Sequence, residues 1–409
     1  MATQSLFPRT AALGNTMRLL GAFMNDSPWA RRRFEPDIAD FTFGNPHEMA
    51  LPGYVDALRR ALPPQNKDWF AYKSSEPESR AIVAASLREF TGVPFEAEDI
   101  AMTTGGFGAL AAALKAVTEP GDEVIYSLPP WFLYEIMIVD NGLTPVKVPI
   151  KPISFDLDLN AIEAAITPRT RVLIVNTPHN PTGKIYPPET LARLATLLED
   201  ASRRNGRTIY LLSDEPYNRI VFDGAQFHSP IAFYPNTLLA YSYGKVLLAP
   251  GQRIGYLALP PTMPDRDHVR QSILLAQIAC GYLFPNALLQ HALADLEILS
   301  IDIAHLERKR DRMVTALRGM GYSVHVPEGT FYLLPRSPWE DDLAFTAVLA
   351  EYGVFVLPGS IAEIPGYFRI SLTANDEMIE RALPGFAAAI GRATSDPETL
   401  RRFAASARA

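Results

Sequence analysis

Between Asp99 and Leu259 the chain repeats one pattern, an apolar β-rich run followed by a stretch of helical period. "EVIYSL" (Glu123 to Leu128), "RVLIVNTP" (Arg171 to Pro178), "TIYLLSDEP" (Thr208 to Pro216) and "LLAYSYG" (Leu238 to Gly244) are apolar at nearly every position. Runs of that kind read as strands buried on both faces. Among the intervening segments, "PPETLARLATLLEDASRRNG" (Pro187 to Gly206) has prolines ahead of its first turn and a glycine at its end, the punctuation of a helix. The alternation predicts an α/β fold built on a mostly parallel sheet covered by helices on both faces. Ligands of such sheets gather beyond the carboxyl ends of the strands. After about Asp295 the pattern changes. A long charged helix, "DLEILSIDIAHLERKRDRMVTALRGMG", precedes short strands within "YSVHVPEGTFYLLP", "VFVLPGS" and "YFRISL" and then a last helix, pointing to a smaller α+β domain. No internal repeat, low-complexity tract or flexible linker interrupts the sequence.

Composition narrows the function classes. With 409 residues there is material for two to three domains, and 48% hydrophobic with 20% charged residues is ordinary globular composition. A formal net charge of −7 argues against nucleic acid or an anionic membrane as the main partner, since either favours a basic face. "RRR" (Arg31 to Arg33) is too short to reverse this and reads as a solvated patch. The one cysteine, Cys280, excludes an intramolecular disulfide and a cysteine-rich zinc site, and no metal is expected. Its apolar surroundings predict a buried, inert thiol, and a reducing cytosol is the expected location. The N-terminal "TQSLFPRTAALGNTMRLLGAF" has arginines and no acid before Asp26, as a transit peptide or an amphipathic helix of the folded protein would. The helix is the expectation. Ser272 to Ala294 lacks charged residues, but Gln277, Pro285, Asn286, Gln290 and His291 interrupt it, which predicts a buried helix pair and no membrane segment.

Polar clusters sit at the ends of the predicted strands. "TTGGFGAL" (Thr103 to Leu110) follows a short strand and opens an alanine-rich helix, so its amides suit an anion such as phosphate. Gly106, Gly108 and Ala111 also fit a dinucleotide fingerprint, yet the next strand ends in Ser127 and Leu128 where that fingerprint wants an acid. "NTPHNPTG" (Asn176 to Gly183) is by itself first of all a turn. In "LLSDEPY", Asp214 emerges from an apolar strand with Tyr217 three residues on; a helix cap or a partner for a cationic ring nitrogen fits equally well. Trp131 in "SLPPWFLY" reads alone as a core aromatic. In "YSYGKVLLAPGQRIGY" (Tyr241 to Tyr256), Lys245 and Arg253 are the only charges.

In that order and combination, "NTPHNPTG", "SDEPY", the lysine of "SYGK" eight residues before the arginine of "RIGY", and "FRISL" resemble fold-type I pyridoxal-phosphate enzymes, specifically class I/II aminotransferases. The resemblance spans about Asp40 to Ala388. It implies a seven-stranded, mostly parallel (mixed) sheet in a large cofactor-binding domain (51–294) and a small domain from both termini (1–50 and 295–409). It implies pyridoxal 5′-phosphate as cofactor and transamination of an amino acid with a 2-keto acid by a ping-pong route. Lys245 would hold the cofactor as a Schiff base and carry the proton, and Asp214 would pair with the ring nitrogen. Asn180 and Tyr217 would bond the ring's phenolic oxygen, and Trp131 would stack on the ring. The amides of Gly105, Gly106 and Phe107, with Ser242 and Arg253, would hold the phosphate. Arg369 would clamp the substrate carboxylate, and Gly44 matches the substrate-side glycine. A homodimer with shared sites is implied. β-Eliminating lyases, other Cα-carbanion chemistry and a ligand-sensing regulator on the same scaffold are the alternatives; the last wants a DNA-binding domain, and the roughly forty residues before "FTFGNP" hold no basic recognition helix.

Three positions depart from the family pattern. Gly244 stands where many members have a second serine. In "YKSSEPESR" the usual glycine is Ser75, and strict spacing puts Phe70 where a subunit-bridging tyrosine belongs, with Tyr72 as its replacement. Phe107 stands where some aspartate-using members have lysine, which predicts a neutral or aromatic amino donor.

Overall fold

A computed structural model describes residues 8–395 of the chain. Two short helices come first, α1 (Pro8–Thr16) and α2 (Arg18–Asp26). The central sheet contains β1 (Ile100–Thr103), β2 (Glu123–Leu128), β3 (Thr144–Pro149), β4 (Thr170–Asn176), β5 (Tyr210–Asp214), β6 (Thr237–Ser242) and β7 (Gly255–Ala258). Their spatial order is β1-β7-β6-β5-β4-β2-β3 in one seven-stranded sheet. Neighbours from β6 through β3 run parallel, while β7 is antiparallel to both of its neighbours. The mostly parallel α/β sheet expected from the apolar runs is present.

Both faces of the sheet are covered, as continuous apolar strands require. Side chains alternate along a strand, so Val172 and Ile174 of β4 pack on one face with α3 (Gly105–Val117). Leu173 and Val175 pack on the other, against Leu191, Leu194 and Leu198 of α4 (Pro188–Asn205). Each such side chain, fully buried, contributes roughly 1.5–3 kcal/mol. Helix α4 ends at Gly206, whose φ of 62° is the left-handed turn that closes a helix.

The remaining residues gather around a second core. Tyr332–Leu333, Leu357–Pro358 and Phe368–Ser371 form a three-stranded antiparallel sheet, and Ala39–Asp40 pairs in parallel with Val354–Phe355. Phe41, Met313, Phe331, Phe345 and Phe386 meet in that core, so early and late parts of the chain pack together.

Three expectations need correction. The charged segment after Asp295 is not one helix: Leu293–Glu297 ends, and a new helix runs over Ile303–Gly319. Asp302 caps the second by accepting from the His305 N–H, and the Ile301 N–H leaves the helical register to donate to the Val246 carbonyl. Nor is Ser272 to Ala294 a buried pair. On α5 (Arg266–Ala279), Ile273, Ala276 and Gln277 are buried, but Leu275 and Ile278 are more than half exposed, as is Phe284 nearly. Leu275 and Ile278 stand on the side of the helix away from the buried Ile273 and Ala276. Cys280, at the end of that helix, is only half-buried, and partial desolvation raises its thiol pKa. Among the described residues no helix is long and apolar enough to cross a membrane.

Candidate active site

The carboxyl ends of the strands open on one cavity of about 670 Å³. Gly106 and Phe107 follow β1, Trp131 follows β2, Asn180 follows β4, Asp214 ends β5 and Tyr217 follows it, and Ser242 and Lys245 end and follow β6. Gly44, Arg253 and Arg369 complete this part of the lining. Residues from Gly106 to Lys245 face one space because parallel strands share one polarity, and Gly44 and Arg369 reach it from the second core.

Asp214 is deeply buried and accepts hydrogen bonds from the Tyr134 hydroxyl and, at 3.3 Å, from Asn176 Nδ2. Burial pushes its carboxyl up to about 6, while the Tyr134 bond and the Lys245 charge pull the other way. Asn176 lies directly across from Asp214 in the β4–β5 register, which explains that pairing. Tyr217 is buried, its pKa raised by desolvation, and its hydroxyl lies 3.4 Å from that of Tyr332.

Lys245 sits in a short turn of helix after β6, half-buried. Its Nζ is 5.8 Å from the ring centres of Tyr217 and Phe331, and among the described residues no carboxylate pairs with it.

Gly105 has a φ of 81°, which side-chain-bearing residues rarely adopt, and a Cβ there would come within 2.7 Å of Arg253 Nη2. A Cβ on Gly106 would meet Ser242 Cβ at 3.3 Å. Those glycines, Ser242 and Arg253 are thus packed into one cradle at the start of α3. Among the described residues the one carbonyl that Arg253 donates to is that of Pro250, at 2.6 Å. Gly244 also has a local reason: a Cβ would lie 3.0 Å from the Pro250 Cα, so a serine would press on backbone.

Arg369 is almost wholly buried. Nη1 donates to Asn180 Oδ1 at 3.1 Å, Nη2 donates to the Thr42 carbonyl at 3.1 Å, and Nε has no acceptor. The Tyr332 ring lies 4.2 Å beneath the guanidinium. Among the described residues no carboxylate touches it, so this charge is positioned for an anion. Gly44 faces the same point, since a Cβ there would be 2.8 Å from the Tyr332 hydroxyl.

Trp131 lines the cavity nearly perpendicular to the rings of Phe107 and Tyr134, both at 5.5 Å between ring centres. Of the expected site residues, Tyr72 lies apart. It is 87% exposed and packs on Phe284 outside its own chain's cavity, and Phe70 is exposed as well. Tyr134, Asn176, Tyr332 and the α2 residues Leu20, Gly21 and Met24 were not anticipated. Asn176 had a signal, being an amide at the end of an apolar strand. Tyr134 and Tyr332 had none beyond being aromatic in aromatic segments.

Glu215 points away from the cavity and is fully buried, accepting from Ser213 Oγ at 2.7 Å, Ser229 Oγ at 2.6 Å and Asn218 Nδ2 at 3.3 Å. Burial pushes its carboxyl from an ordinary 4.5 up to about 7 against those donors. A raised carboxyl pKa adds stability fully below the unfolded value, and that stability is lost as pH rises through the folded one. The cofactor-free protein should lose up to about 3 kcal/mol from this group between roughly pH 4.5 and 7.5. Urea unfolding of wild type and Glu215→Gln across that range should diverge by this amount; parallel curves would refute it.

The comparisons with known proteins agree with this geometry. The sequence model of aminotransferase class I and II matches residues 36–386. A probable aspartate/prephenate aminotransferase of Thermus aquaticus is 33% identical over 368 residues, covering 88% of this chain and 93% of the relative. The crystal structure of an amino transferase from Eubacterium rectale superposes with a TM-score of 0.87 at 30% identity, covering 95% of this chain and 99% of that one. Aspartate aminotransferase from Thermus thermophilus with maleate gives 0.80 at 28% identity, covering 95% and 100%. With the family model spanning most of its length, the chain belongs to the class I and II aminotransferases.

Proposed function

We propose that the cavity binds pyridoxal 5′-phosphate and that the protein transfers an amino group between an α-amino acid and a 2-keto acid in a ping-pong exchange. The observation that carries this reading is the convergence of Lys245, buried Asp214 and carboxylate-free Arg369 on one cavity. The residues fit the group. The glycine turn, Ser242 and Arg253 make a cradle of phosphate character, which a Cβ at Gly105 would fill.

When bound, pyridoxal phosphate supplies an electron sink for the carbanion left by loss of the substrate Cα proton. Asp214, held by Tyr134 and Asn176, presents a carboxylate to the ring nitrogen and keeps its proton in place. Asn180 and Tyr217 offer hydrogen bonds to the phenolic oxygen, and Trp131 offers a ring face. Lys245 would be the covalent anchor, and its Nζ would take up and carry the proton removed from the substrate Cα. Arg369 holds the substrate carboxylate, with Asn180 and Thr42 fixing the guanidinium so that it loses little freedom on binding.

The proposal extends to assembly and organisation. The exposed Leu275, Ile278 and Phe284, with Tyr72 lying on Phe284, support a homodimer in which Tyr72 reaches the neighbouring site. Within each chain, residues 51–294 would form the cofactor domain, and 1–50 with 295–409 the smaller one, of which 1–7 and 396–409 lie outside the described residues.

One preparation tests reaction and assembly together. The reconstituted protein should sediment as a dimer and convert amino acids to keto acids beyond one equivalent per site only while an acceptor keto acid is present. Ammonia released at full rate without an acceptor would establish the lyase alternative instead, and a monomer would remove the role of Tyr72.

A further inference from the structure

Every charge on the cavity wall has a task in the proposed reaction. Its cations are Lys245, Arg253 and Arg369, and its one acid is Asp214. The rest of the described lining is uncharged. Much of it comes from the N-terminal segment, where Met17, Leu20, Gly21 and Met24 face the cavity together with Phe43 and Phe107. Phe107 meets Trp131 edge to face, joining this apolar surface to the expected ring-stacking residue. Gly21 is unusual in that company. It lies inside helix α2, where glycine costs roughly 0.5–1 kcal/mol relative to alanine. Beyond its chain neighbours and the backbone of its own helix, no described atom lies within 4 Å of where its Cβ would be, so packing does not demand the glycine. Its effect is to leave the cavity wider on that side.

We propose that α2 is the specificity wall and that the amino donor carries a large uncharged side chain, aliphatic or aromatic. This rests on the transamination reading above and adds the substrate class. A second carboxylate on the donor would be brought among thioether, leucine and phenyl groups with no described cation left to meet it. A distal ammonium would face the same surface with no described acid left. Either group is costly to desolvate unpaired, whereas an apolar side chain gains from the same surroundings. The inference separates this chain from the relatives named for aspartate, whose named substrate carries that second carboxylate.

Single-turnover reaction of the reconstituted holoenzyme, followed by cofactor absorbance, needs no knowledge of the acceptor. Phenylalanine and leucine should react with kcat/KM at least roughly 100-fold above aspartate and lysine. By calorimetry, the unreactive acid 3-phenylpropionate should bind the holoenzyme at least tenfold more tightly than maleate. Gly21→Leu should cut the phenylalanine rate constant at least tenfold more than that of alanine. Aspartate or lysine reacting as well as phenylalanine, or maleate binding as tightly as 3-phenylpropionate, would overturn the substrate class. An unchanged phenylalanine-to-alanine ratio in Gly21→Leu would overturn the role of α2. Should no amino acid react at all, the transamination reading falls, and the two binding constants still decide the chemistry of the wall.

Discussion

Replacing Lys245 by alanine is expected to lower turnover by at least roughly 10⁴-fold and to abolish covalent trapping of the cofactor by borohydride. The size follows from two tasks resting on one atom. Lys245 is the only amine among the described lining residues, and the other cations there are guanidiniums. A guanidinium does not deprotonate in proteins, so neither Arg253 nor Arg369 can act as nucleophile or proton carrier. Lys245 makes no ion pair among the described residues, and removing it breaks no structural contact of that kind. The variant should therefore fold with a melting temperature close to that of wild type and still bind the cofactor through the phosphate cradle. Intact-mass spectrometry after borohydride treatment reads the covalent link directly. Retention of a cofactor adduct in Lys245→Ala, or activity within a few-fold of wild type, would remove Lys245 from its assigned role.

Arg369→Lys is expected to lower kcat/KM for amino acids by about 100-fold, corresponding to ~2.7 kcal/mol. Lysine keeps the charge but loses the planar fork, and with it the paired hydrogen bonds that a carboxylate takes from a guanidinium. It also forfeits the geometry set by Asn180, the Thr42 carbonyl and the Tyr332 ring. A control isolates the cause. An amine without a carboxylate, such as phenethylamine, has nothing for Arg369 to hold, so its slow reaction should be similar in both proteins. An equal loss for the amine would mean that the substitution disturbs the site generally and that Arg369 is no carboxylate clamp.

The parts of this protein that were readable from sequence share a physical cause. Strands buried on both faces must be apolar throughout, so "EVIYSL" and "RVLIVNTP" announced themselves, and β2 and β4 lie where those runs do. Polar residues placed at the ends of such runs stand out for the same reason. Asp214 and Lys245 were visible because they break an apolar pattern where a parallel sheet leaves its open edge. The break between Leu293–Glu297 and Ile303–Gly319 was not visible, because charged residues on both sides carry helical period and only the tertiary bond from Ile301 to Val246 interrupts it. The exposure of Leu275 and Ile278 was hidden as well, since apolar composition does not say which residues face the sheet.

Local sequence therefore determined the runs that form the sheet and the polar residues at their ends, because these depend on residue type and near neighbours. The roles proposed for those residues rest on the family resemblance. The tertiary structure alone decided what surrounds them. Tyr134 meets Asp214 across 80 residues of sequence, Arg369 meets Asn180 across 189, and α2 is laid over the cavity from the other end of the chain. Those contacts rest on strand register and on the packing of distant segments. A hydroxyl, an amide or a methionine in the sequence looks the same whether or not folding brings it to the site.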